Sequence, residues 1–242
     1  MKLLLLLLAL VAAATAQNVR LNANGLEKEG VKIHRLSQPS DPDPFRVALE
    51  NQSGRTILQF SLRMESDSPP GPRGLRRVYG NHVFTGPFAS GETGIGSGLG
   101  QVGRTSQAPK AAAMIRGPVE IVLDSVLWED YSCSGPDVGH GCVEGSAKMG
   151  AERDLMNEIS LAGNVGDDAV LQALRDAGAG QPRRPTPIQD AQGTYENFYA
   201  YYKQRIAERY YNQLTPGKAT ELVSRARRNL ETRKYPTKEK AR

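Results

Sequence analysis

Hydrophobic and polar positions alternate through the first half of the chain and recur at helical spacing in the second. Val31-Lys32-Ile33-His34-Arg35-Leu36 alternates with the period of a half-buried strand, and Phe45-Arg46-Val47-Ala48-Leu49-Glu50 repeats the pattern. Asn51-Gln52-Ser53-Gly54 supplies turn chemistry. The strand that follows, 56–64, puts Leu58, Phe60, Leu62 and Met64 on one face. Residues 66–74 read as a Pro/Gly loop, with further strands at 78–84, 111–116 and, strongest of all, 119–130. So many short strands separated by turns predict a β-sandwich of immunoglobulin type. The likeness is one of architecture, because both cysteines follow Trp128.

From Lys148 the period becomes helical. Leu155, Met156 and Ile159 share a face that Gly163 should end, and Asp167 is placed to cap a helix carrying Val170, Leu171 and Leu174 up to Gly178. A polar, proline-bearing stretch then reads as a linker. Beyond it Tyr195, Phe198, Tyr199, Tyr202, Ile206 and Tyr210 make one aromatic stripe. That stripe suits packing on a neighbouring helix, or binding of a sugar or peptide. Thr215-Pro216 restarts a helix whose apolar stripe is Leu222, Val223, Ala226 and Leu230. The expected class is therefore α+β: an immunoglobulin-like β-sandwich followed by a helical segment ending in an antiparallel helical hairpin. The expected divisions are 1–16 signal peptide, 17–30 N-terminal segment, 31–145 sandwich with a disulfide loop, 146–178 short helices, 179–193 linker, 194–236 hairpin and 237–242 tail.

The signal peptide rests on three parts: Lys2, an unbroken apolar run over 3–14, and Ala14-Thr15-Ala16 as a cleavage motif before Gln17. The run is shorter than the roughly twenty residues of a membrane span. A secreted or periplasmic protein is expected, with no transmembrane span in the mature chain. In that compartment Cys133 and Cys142, the two cysteines of the chain, read as a disulfide.

Three stretches carry a partial resemblance: Leu49-Glu50-Asn51-Gln52-Ser53-Gly54-Arg55-Thr56-Ile57, Phe88-Ala89-Ser90-Gly91-Glu92 and Asp124-Ser125-Val126-Leu127-Trp128-Glu129-Asp130. They resemble uncharacterised secreted proteins of soil bacteria, of acidobacterial type, in which an immunoglobulin-like half precedes helices. The resemblance implies no activity and brings no catalytic residue.

Charge adds one candidate surface. The formal net charge is +5, and residues 195–242 hold twelve Lys or Arg against five Asp or Glu. Arg225, Arg227, Arg228, Arg233 and Lys234 crowd the last helix on the side away from its apolar stripe, a possible anion-binding face. An anionic envelope polymer or a protein partner fits that face; nucleic acid does not suit an exported chain. A plain solvated face is the alternative.

Catalytic motifs are weak. Gly98-Leu99-Gly100-Gln101-Val102-Gly103 matches G-x-G-x-x-G, but it follows a glycine-rich stretch and precedes no helix start, so 91–103 reads as a loop and no cofactor is expected. Cys133, Asp137, His140 and Cys142 could hold a metal only if the sulfurs stay unpaired, and no metal is assigned. Glu120, Asp124, Glu129 and Asp130 crowd one strand end, where paired carboxylates could serve a glycosidase. The leading expectation is an exported, non-enzymatic binding or interaction protein of the cell envelope or extracellular space. A secreted hydrolase using Asp124, Glu129 and Asp130 is one alternative, and a structural subunit of an envelope assembly is the other.

Overall fold

A computed structural model describes residues 18–38, 41, 43–66, 77–98, 118–180, 194–214, 218–233 and 235, with the side chains of 77–82 and 194 excepted. The expected signal segment 1–16, the run 99–117 with its strand at 111–116, most of the linker, Thr215-Pro216, Lys234 and the tail lie outside them.

The protein is α+β. Strands β1 (Val19–Asn22), β2 (Val31–Arg35), β3 (Arg46–Asn51), β4 (Ile57–Ser66), β5 (Arg77–Phe88), β6 (Thr93–Ser97), β7 (Val119–Trp128) and β8 (Cys133–Ser134) come first. Helices α1 (Gly141–Ala162), α2 (Asp167–Ala177), α3 (Thr194–Gln213) and α4 (Ala219–Thr232) follow. One sheet runs β1-β7-β4-β5 with β8 added to β7; the other runs β2-β3-β6. The first is mixed, since β1 pairs parallel to β7, and the second is antiparallel. The chain forms two compact units, 1–128 with 133–141, and 129–132 with 142–242.

In the first unit both sheets feed one core. Phe45, Val47 and Leu49 of one layer meet Phe60, Leu62, Met64, Ile121, Leu123 and Trp128 of the other. The expected inward row on β4 holds at Phe60, Leu62 and Met64 but not at Leu58. The register slips between Ile57 and Gln59 against both neighbouring strands. That irregularity turns Ile57 into the core and leaves Leu58 half-buried.

Strand β6 corrects the reading of 91–103 as a loop, because Thr93–Ser97 pairs along β3 from Glu50 to Arg46. The usual alternation is inverted there. Gly94 and Gly96 are buried, while Ile95 is exposed. A Cβ on Gly94 would stand 2.9 Å from Phe60, and one on Gly96 2.8 Å from Leu62. The phenylalanine and leucine rings and branches of the opposite sheet fill the space that side chains of β6 would otherwise take. Strand β1, in the segment given no structure, borrows its order from β7 through a parallel ladder.

In the second unit the core gathers Leu155, Met156 and Ile159 of α1, Val170 and Leu174 of α2, Ala207 of α3, and Leu222, Val223 and Ala226 of α4. Gly163 lets α4 approach: a Cβ there would stand 2.5 Å from Val223. Helix α1 begins at Gly141, seven residues before Lys148. The glycines of Gly141-Cys142-Val143-Glu144-Gly145-Ser146 disguise its first turns, since glycine weakens a helix. The expected cap of α2 also moves. Gly166, not Asp167, precedes α2, and Lys218 precedes α4 without a side-chain cap bond.

Candidate functional site

Asp124, midway along β7, is a locked carboxylate. A register shift between Ser61 and Leu62 leaves Asp124 as the extra residue of β7. Asp124 is fully buried and forms an ion pair with Arg63, which also holds Glu65 at 2.6 Å. The second Asp124 oxygen accepts from the Gly139 N–H at 2.8 Å, and its backbone carbonyl accepts from the Asp137 N–H at 3.1 Å. Beside it Ser61 and Ser125 share a hydrogen bond at 2.7 Å, and Gln59 donates to the Gly141 carbonyl at 2.6 Å. Arg63, on the polar face of β4 between the inward Leu62 and Met64, therefore satisfies a buried charge that would otherwise cost several kcal/mol. Asp124 fixes the loop after β8 and has no face open to a substrate.

The other acids do different work. Glu120 accepts from Asn22 at 3.1 Å, and Asp130 accepts from the Ser132 backbone and hydroxyl at 3.1 and 2.6 Å. Glu129 is half-buried. Among the described residues of the first unit, Asp124 is held by Arg63 and the Gly139 N–H rather than set across a substrate-sized gap from a second carboxylate, as glycoside hydrolysis requires.

Cys133 and Cys142 are joined in a disulfide. Their sulfurs and the Asp137 carboxylate lie within 4.8 Å of one another, and the bond leaves no thiolate for an ion. His34 sits on an outer strand face, 54% exposed, hydrogen-bonded to Glu50 at 3.0 Å. That bond, with a second from Gln52, holds the Glu50 carboxyl below the ordinary carboxylate range.

The aromatic stripe of α3 meets α1. Tyr199 donates to Asp154 at 2.8 Å, Tyr202 donates to Glu144, and Lys203 pairs with Glu158. Tyr195 fills the space over Gly150, where a Cβ would stand 2.5 Å from its hydroxyl. Neighbouring Tyr202 and Lys203 thus reach residues separated by roughly 21 Å of α1 at 1.5 Å per residue. Tyr195, Tyr199 and Lys203, spaced four residues apart on α3, meet Gly150, Asp154 and Glu158, spaced four apart on α1, and Tyr202 departs from that series to reach Glu144. Burial, then the bond to Asp154, raises the Tyr199 phenol well above its ordinary value. Burial likewise pushes Tyr131 and Tyr235 to about 12 and lowers Lys148, which Glu152 and Glu144 partly restore. The stripe is packed structure rather than an open ligand face; Phe198 within it is fully buried.

The basic face of α4 is more differentiated than its composition. Arg225 pairs with Glu221 at 3.1 Å, and Arg233 with Glu152 at 2.7 Å. Arg227 donates to Asn164 at 2.7 Å, tying α4 to the end of α1. Arg228 is exposed and forms no ion pair among the described residues. Lys234 lies outside them.

Sequence reasoning missed an open cleft of about 340 Å³ between the end of α3 and the start of α4. Leu214 and Leu222 form its apolar wall; Tyr210, Gln213, Lys218 and Arg225 supply polar groups. The only signal for it was a tyrosine at the far end of the stripe. No family model, curated protein or solved structure matches the chain.

Proposed function

We propose that this chain is an exported, non-enzymatic binding or interaction protein that meets an anionic partner in the cell envelope or extracellular space. The observation that carries the reading is on α4. Leu222, Val223 and Ala226 are buried, while Arg225, Arg227, Arg228 and Arg233 are exposed on the rest of the helix. Internal pairs temper three of those arginines and leave Arg228 to face a partner. The disulfide supports an oxidising compartment, in keeping with cleavage after Ala16. Retention of the mature protein on anionic but not neutral envelope fractions tests the reading, because attraction between exposed charges is screened beyond about 8–10 Å near physiological salt.

Two finer readings of the fold belong with this proposal. The immunoglobulin type is an assignment of architecture, supported by two layers around one core; the order β1-β7-β4-β5 with β2-β3-β6 is its own. The antiparallel α3–α4 hairpin is supported by Ile206, Tyr210 and Leu214, which join Leu222, Val223 and Leu230 in one cluster. The resemblance to secreted proteins of soil bacteria suits the same export.

A further inference from the structure

We propose that the cleft between α3 and α4 binds a small organic anion carried on an apolar body. This site goes beyond the reading of the outer arginine face, and the ligand is a single small molecule. Its volume, about 340 Å³, lies at the lower end of the roughly 300–1,000 Å³ typical of ligand pockets.

The chemistry of the lining selects the ligand. Lys218 is exposed on the rim and forms no ion pair among the described residues. Arg225, about two turns further along the same helix, already shares its charge with Glu221 at 3.1 Å. The cleft thus offers one full cation and one half-compensated cation against one committed carboxylate. The Tyr210 hydroxyl and the Gln213 amide add hydrogen-bond donors. Two further cations, Arg209 and Arg233, lie within electrostatic reach of Tyr210, where Glu152 opposes them. Leu214 and Leu222 lie on the same wall, where an acyl or aryl group loses contact with water. A bare inorganic anion leaves that wall wet, and an apolar cation meets Lys218.

Carboxylates and phosphate monoesters share this chemistry, so the test uses both. Octanoate and octyl phosphate, each titrated into the full oxidised chain, should shift the Leu214 and Leu222 methyl signals and saturate at one equivalent. Whichever binds more tightly names the head group. Octylammonium and acetate should bind at least tenfold more weakly. Lys218→Glu and Gln213→Glu, both at exposed positions, should each weaken octanoate binding about tenfold with an unchanged circular dichroism spectrum. Arg228→Glu should leave it unchanged while reducing retention on an anionic polymer, which separates failure of this site from failure of the outer face. Equal binding of octylammonium, an unaffected Lys218→Glu variant, or no methyl shift would overturn the proposal.

Discussion

Gly96 of β6 faces Leu62 of β4 so closely that an added Cβ would stand 2.8 Å from the leucine methyl, with Phe60 and Phe84 at 3.1 Å. Two rings and a branched side chain must therefore move if the position grows by one carbon. Gly96→Ala gains roughly 0.5–1 kcal/mol in backbone entropy, while overpacking a filled core costs about 1–3 kcal/mol. The variant should be less stable by about 1–2 kcal/mol. Urea denaturation checks it; equal or greater stability would show that the layers are further apart than the structure places them.

Arg63 and Asp124 make a second prediction. Replacing Arg63 with Met strands a buried carboxylate, and breaking such a pair costs about 3–5 kcal/mol. The double variant Arg63→Met with Asp124→Leu should recover part of that loss, because neither charge then needs a partner. The same denaturation series reads it. A single variant as stable as wild type would show that Asp124 is open to water and would return it to the list of possible catalytic acids.

The disulfide gives a third. Native oxidised protein should titrate no free thiol, since Cys133 and Cys142 are bonded to each other. Reduction should cost about 2.5–3 kcal/mol for a loop of about ten residues in the chain-entropy model. Two reactive thiols in the native oxidised protein would contradict the pairing.

A fourth concerns alkaline pH. The folded state raises the Tyr199 phenol above its ordinary value of 10. Between those two values the unfolded chain loses the proton first, so this contribution is complete below pH 10 and falls as pH rises further. Tyr131 and Tyr235, raised to about 12, act in the same direction. Stability should decline from pH 10 upward, and Tyr199→Phe should flatten the decline. Denaturation curves at stepped alkaline pH read both; a steeper decline in the variant would contradict the assignment.

Much of this architecture could be read from the residue pattern, and its failures share a cause. Strands β2 and β3 alternate, and β7 is a near-continuous apolar run around Asp124 and Ser125, so their positions follow from the residue pattern alone. Strand β6 does not, because its inward positions are glycines and its one large apolar residue, Ile95, points out. Helix α1 hides its first turns behind Gly141 and Gly145 for a similar reason: the sequence lacks the side chains that mark a period. Leu58 went to the wrong face because a register shift is a property of two strands together. The candidate chemistry was legible in type but not in state. Asp124 was visible as an acid, yet the partner that neutralises it, Arg63, is remote in sequence. The arginines of α4 were visible as charge, yet Glu221, Glu152 and Asn164 decide how much of it is offered outward.

The most direct measurement is retention of the protein on an immobilised anionic polymer at low and at high salt, beside a variant with Arg225, Arg227 and Arg228 changed to Glu. Circular dichroism and a urea curve accompany both, since Arg227 also bonds Asn164. Arg228→Glu alone, at a position free of that bond, serves as the conservative control. Wild type should be held at low salt and released at high salt, the folded triple variant should not be held, and Arg228→Glu should fall between them. Equal retention of wild type and both variants would contradict an anion-binding face on α4.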